Sequence, residues 1–146
     1  MANHVKILNN EVFFAEVERI LNSGKQVKIV VKGSSMEPFL RNGDEVLLMP
    51  YNKESLKLRD IVLGMYDGRY MLHRVHDISS TGIRMMGDGN LQQIEDVVHE
   101  KVIGVVIAGF RQGRDLAITS NRSYFMAKIW YKCRLLRRIF SIFKRF

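Results

Sequence analysis

Among the residue types of this chain, the chemistry most readily assembled is a serine nucleophile with a histidine base. The serine is Ser35, in Gly33-Ser34-Ser35-Met36-Glu37-Pro38, a stretch closely followed by Arg41-Asn42-Gly43-Asp44. Glycine lets backbone approach a substrate closely and proline fixes φ, so the segment predicts a rigid, exposed turn after a strand over Val27 to Lys32. A serine hydroxyl is a poor nucleophile at neutral pH and needs a base within reach. Imidazole suits that task, and the chain has four histidines: His4, His73, His76 and His99. Two of them fall in the run Tyr70 to Ile78, which has the character of a strand. A period of two puts Met71, His73 and Val75 on one face and Tyr70, Leu72, Arg74 and His76 on the other. His73 therefore shares the less charged face. Plainer readings exist for both residues: Gly/Ser/Pro loops are ordinary punctuation, and a lone histidine among apolar neighbours is usually structural.

Three further segments follow in order: Asp60-Ile61-Val62, Leu72-His73-Arg74-Val75, and Met86-Gly87-Asp88-Gly89-Asn90. With Ser35-Met36-Glu37-Pro38 they make four boxes, and on these the chain resembles the signal peptidase and SOS-repressor superfamily of serine peptidases. Each box is weak alone; the order of all four is what makes the resemblance specific. The position matching His73 is a lysine in bacterial leader peptidases and SOS repressors. Here no lysine occurs between Lys57 and Lys101. The chain is thus more similar to the histidine-type signal peptidases of the endoplasmic reticulum, archaea and sporulation. That resemblance implies Ser35 as nucleophile and His73 as base.

A carboxylate usually fixes the tautomer of such a histidine and stabilises the imidazolium that forms. Asp88 is the candidate by motif, while Glu95 and Asp96, just beyond the box, stay in contention. Asp88 also suits a turn, where its carboxylate would cap backbone amides. The chain departs from the family pattern at two places. Gly33 stands where many signal peptidases carry a serine whose hydroxyl helps to form the oxyanion hole, which leaves Ser34 as an alternative donor. Arg59 stands where the Gly-Asp-Ile-Val box has its glycine.

The activity implied is that of a serine endopeptidase cleaving a leader or signal segment of a peptide or preprotein through an acyl-enzyme. The alternative is a regulatory or binding module on the same fold that cleaves only itself or has lost activity. The resemblance implies that repressor-type self-cleavage needs an Ala-Gly pair in a linker before the serine, whereas the only such pair here, Ala108-Gly109, lies after Ser35 inside an expected strand.

The elements that must position these residues follow from periodicity and turn signals. A helix is expected over Glu11 to Leu21, capped by Asn10 and stopped by Asn22-Ser23-Gly24. Strands are expected over Gln26 to Lys32, Glu45 to Met49, Asp60 to Tyr66, Tyr70 to Ile78, Ile83 to Met86, Val102 to Phe110 and Leu116 to Thr119. Asp67-Gly68 and Gln112-Gly113 supply hairpin turns. The fold class expected is mainly β, a coiled β-structure of the signal peptidase and SOS-repressor type, with a short N-terminal helix and a basic amphipathic C-terminal helix. The organisation is an N-terminal helical segment (1–24), the peptidase-like domain (25–120) and the C-terminal helix (121–146). With 146 residues, 47% of them hydrophobic, the chain is long enough to bury a core. One cysteine, Cys133, excludes an internal disulfide and is expected to pack within a helix. No metal-ligand spacing and no nucleotide loop is visible, so neither metal nor cofactor is expected.

The formal net charge of +8 belongs to the tail. From Leu116 to Phe146 there is no acidic residue, while Lys128, Lys132, Arg134, Arg137, Arg138, Lys144 and Arg145 accumulate; without these seven the net charge is +1. On a helical wheel Phe125, Ile129, Cys133, Leu136, Phe140 and Phe143 form an apolar stripe. A helix of that kind suits the surface of an anionic membrane, and peripheral contact through Tyr124 to Phe146 is expected in preference to nucleic acid. No segment reaches the ~20 apolar residues of a transmembrane span, and Met1 to Asn10 has no signal-peptide pattern. The expected location is a membrane surface or the cytoplasm.

Overall fold

Short aliphatic and β-branched runs separated by Gly and Asn turns favour pairing of neighbouring strands over crossover connections. The computed structural model describes residues 10–144. In chain order the elements are α1 (Asn10–Asn22), β1 (Val27–Val30), β2 (Glu45–Pro50), β3 (Ile61–Tyr66), β4 (Arg69–Ile78), β5 (Gly82–Gly87), β6 (Asn90–Val98), β7 (Val102–Arg111), β8 (Arg114–Asp115), α2 (Asn121–Lys132) and α3 (Arg134–Lys144). The eight strands form one sheet in the order β1-β2-β7-β3-β4-β5-β6, with β8 paired to β7. Every pairing is antiparallel. The fold is mainly β.

Alternation along β3 feeds two apolar clusters, one on each side of the sheet. Ile61 and Leu63 join the larger one, where Val17 and Leu21 of α1 close over Ile29, Val46, Leu48 and Val106. Val62 points the other way, into a smaller cluster with Val75, Ile83, Met85, Val97 and Val102. Leu21 is fully buried, and truncating such a side chain to alanine typically costs about 2–5 kcal/mol. The N-terminal helical segment is therefore a wall of the main core. Phe14 extends that wall by stacking on Tyr70 of β4 at 4.7 Å.

One strand is additional to those expected, and three expectations need correction. The stretch after the Gly-Asp-Gly-Asn turn is a strand, β6, which shows no apolar alternation because one of its inward positions is Glu95. Leu116 to Thr119 is not a strand: Ala117 adopts φ 51°, and its amide is held by Asp115 Oδ1 at 2.7 Å, which ends the extended run. The C-terminal helix is two helices, broken at Cys133, whose φ of −96° and ψ of 91° are extended. Cys133 thus sits at the break. Residues 145 and 146 of the expected helix, like His4, lie outside the described residues.

Among the described residues no helix is long and apolar enough to cross a membrane.

Candidate active site

Ser35 follows β1 on a loop anchored from both ends. Met36 and Leu40 are buried in the main core, and the Leu40 amide donates to the Met36 carbonyl at 2.9 Å. Gly33 takes φ 82°, a conformation that favours glycine, and its amide donates to Asn42 Oδ1 at 2.9 Å. Asn42 thus closes the loop on itself. Asp44 secures the exit: it accepts the Arg41 amide at 2.7 Å and a two-pronged contact from Arg111 of β7, both prongs at 2.9 Å. Burial alone would raise its carboxyl, yet Arg111 and the Arg41 amide hold it below the ordinary aspartate range. Ser35 is left half-buried and Ser34 exposed.

His73 lies mid-β4, opposite Val62 of β3. Its Nε2 is 3.2 Å from Ser35 Oγ and its Nδ1 is 2.6 Å from Glu95 Oε1. Of the three carboxylates in contention, Glu95 is therefore the one against the histidine. It is 0% exposed, and among the described residues its Oε2 has no hydrogen-bond partner. Glu95 reaches His73 because β6 pairs with β5 and β5 with β4, with Glu95 opposite Met85 and Met85 opposite Val75. Both ladders are irregular near this point, between Val75 and Asp77 and between Met85 and Gly87, where such shifts re-aim side chains.

Asp88 is buried but turned to a different partner. Arg74 Nε donates to Asp88 Oδ1 at 2.9 Å and Arg74 Nη2 to Asp88 Oδ2 at 2.8 Å. Burial pushes the Asp88 carboxyl up, against the pull of that guanidinium. Arg74 also donates to the Arg59 carbonyl at 2.8 Å and sits over the Phe39 ring at 5.2 Å. This one side chain joins the 86–90 turn, the segment before β3 and the loop that carries Ser35. Both faces of β4 are covered at its centre, where His73, Arg74 and Val75 are all buried, so Arg74 on the more charged face is as enclosed as His73 on the other. Asp96 is at the surface, paired with Arg84 at 2.9 Å.

The glycines of the turn have a function that residue chemistry did not reveal. A Cβ at Gly87 would lie 2.5 Å from the Ser35 carbonyl oxygen and 3.1 Å from His73 Nε2. At Gly89 it would lie 2.8 Å from the Ser34 carbonyl oxygen, and the Gly89 amide donates to the Ser35 carbonyl at 2.8 Å. The turn can press against the Ser35 loop only because both positions lack side chains. Arg59 explains the box in which it replaces a glycine, since it takes φ 78°. Its side chain donates to His76 Nδ1 at 3.1 Å. Burial, with Arg59 and Arg74 nearby, brings the His76 imidazole down to about 4.

Helix α2, unassigned to the site by sequence reasoning, touches it. Trp130 Nε1 donates to the Asp88 carbonyl at 2.7 Å, and the indole meets the Phe39 ring edge-on at 6.4 Å. Tyr124 donates to Asp60 Oδ1 at 2.6 Å. Among the described residues no group of three or more acidic, histidine or cysteine residues is placed to hold a metal ion. No family model matches the chain, and no curated protein matches it.

Proposed function

We propose that this chain is a serine endopeptidase of the signal-peptidase type, cleaving a leader or signal segment through a Ser35–His73 acyl-enzyme. The observation that carries the reading is the hydrogen-bonded line from Ser35 Oγ through His73 to Glu95. With the His73 proton on Nδ1 and donated to Glu95, Nε2 accepts from the Ser35 hydroxyl. Ser35 Oγ then attacks a peptide carbonyl as His73 Nε2 takes its proton. Glu95 stabilises the imidazolium, which returns the proton to the departing amine. Water completes the cycle by the same route, releasing the acid and restoring Ser35.

Asp88 has a different part in this reading. Through Arg74 it braces the turn that sets the distance between Ser35 and His73, so it is a positioning residue. The Gly33 amide is committed to Asn42, and the Ser35 amide is the candidate oxyanion donor. The coiled β-fold of the signal peptidase superfamily is part of the same proposal, supported by the antiparallel sheet, by the His73 box and the Gly87–Gly89 turn meeting at Ser35, and by Val62 of the remaining box lying opposite His73. A leader-type substrate is supported by the resemblance of those boxes.

The test is incubation of wild type, Ser35→Ala and His73→Ala with membranes and a library of leader-like peptides, read by mass spectrometry. Cleavage by wild type alone, after small residues, is the expected outcome. Identical products from all three proteins, or none from any, would sink the proposal and favour the non-hydrolytic module.

A further inference from the structure

The tail divides its apolar side chains unequally between the protein and solvent. Helix α2 turns Ala127, Tyr124, Trp130 and Tyr131 toward the body, where Tyr131 packs on His76 at 4.5 Å. Its outer side exposes Phe125 (61%) and Ile129 beside the exposed Lys128 and Lys132. On α3 the segregation is sharper. At helical spacing Leu136, Ile139, Phe140, Ile142 and Phe143 fill an arc of roughly 160°, with Arg137 and Arg138 opposite. Phe140, at one margin of that arc, meets the Trp130 ring edge-on at 5.4 Å. Leu136, Ile139, Ile142 and Phe143 (73%) remain exposed.

We infer that α2 and α3 form a docking element for an anionic lipid surface, and that it holds the Ser35 site at that surface. The occupant follows from charge. No acidic residue occurs after Asp115, so a second copy seated on this face would bring like charges together. An anionic headgroup layer complements the cations, while the apolar arc enters the acyl boundary and the long basic side chains reach back to phosphate. The contacts from Phe140 to Trp130 and from Trp130 to the Asp88 carbonyl run directly to the turn that packs on Ser35. A chain emerging from the bilayer would thus meet the nucleophile at the interface; this last step rests on the peptidase reading, whereas the docking itself does not.

Vesicle flotation of the full-length Ser35→Ala protein tests the docking without any demand on catalysis. The probes are vesicles of phosphatidylcholine with phosphatidylglycerol, and of phosphatidylcholine alone. Flotation with the anionic vesicles, at least about tenfold above the neutral ones, is expected. Ile139→Asp with Phe143→Asp should lower it by about tenfold or more, with an unchanged circular dichroism spectrum. Lys128→Glu with Lys132→Glu, which leaves the apolar arc intact, should lower it as well. Absence of flotation, equal binding to both vesicle types, or variants that float like the parent would overturn the inference. So would a dimer in sedimentation that Ile139→Asp dissociates, since a second copy would then own the face.

Discussion

Two buried carboxylates, Asp88 in the β5–β6 turn and Glu95 on β6, lie seven positions apart and have opposite relations to charge. Both Asp88 oxygens are taken by Arg74, a cation at every accessible pH. Glu95 has one oxygen on His73 and the other without a partner among the described residues. The first carboxylate faces a cation that never loses its charge, whereas the second faces one only when the imidazole gains a proton. A fixed ion pair holds geometry, while a carboxylate against a titratable ring can respond to a proton in flight. On the proposed activity the two acids therefore have separable tasks, bracing for Asp88 and proton handling for Glu95.

The most direct separation is a pair of isosteric substitutions. On the proposed activity, Glu95→Gln should lower kcat by about 10³-fold with little change in KM, because the amide favours the wrong tautomer of His73. Its effect on stability should be small. Asp88→Asn should act mainly on stability, costing about 3–5 kcal/mol in denaturant unfolding by leaving Arg74 buried and unpaired, with a smaller loss of kcat through the loosened turn. If Asp88→Asn lost kcat and kept its stability, the roles would have to be exchanged.

Gly87→Ala comes next in size. The added methyl must displace the Ser35 carbonyl or the His73 ring, and a shift of about 1 Å between them is expected to cost about 10²-fold in kcat/KM. Crystallography of the variant should show the Ser35 Oγ to His73 Nε2 distance lengthened.

His76 is the internal control for His73, three residues along the same strand but facing Arg59. Its folded value of about 4 lies below the ordinary 6.5, so in acid the unfolded chain takes up a proton that the folded one refuses. Stability is fully present above pH 6.5 and falls as the pH drops to about 4, by about 2 kcal/mol after allowance for partial exposure. His76→Gln should flatten that segment of the stability curve and leave peptide cleavage unchanged. The smallest effect is expected from Trp130→Phe, which removes one hydrogen bond to the Asp88 carbonyl and about 1 kcal/mol of stability by thermal melting.

How much of this could be read from sequence differs between the two acids. The strands flanking the boxes, the Asp67-Gly68 hairpin turn and the first helix obey simple periodicity and are close to their expected bounds. Ser35 and His73 stand out because few residue types can do their chemistry. Asp88 was conspicuous for its motif, yet its partner Arg74 is on a strand position that alternation assigned to the more polar face. Glu95 had no periodic signal: a carboxylate at an inward position interrupts the apolar pattern that would have revealed β6. The irregular ladders that aim it at His73 are a property of paired strands, invisible in one segment alone. The tail misled differently, because an amphipathic stripe continues through Cys133 in sequence while the backbone breaks there.

The proton position on His73 is the most direct test of the account, and it needs no substrate. Nitrogen-15 NMR of the imidazole ring in its neutral form, in wild type and Glu95→Gln, reads it. The account predicts a proton on Nδ1, donated to Glu95, and a bare Nε2 that accepts from Ser35, with that preference lost in Glu95→Gln. A neutral ring carrying its proton on Nε2 in the wild type would contradict it, since His73 would then donate to Ser35 and could not take its proton.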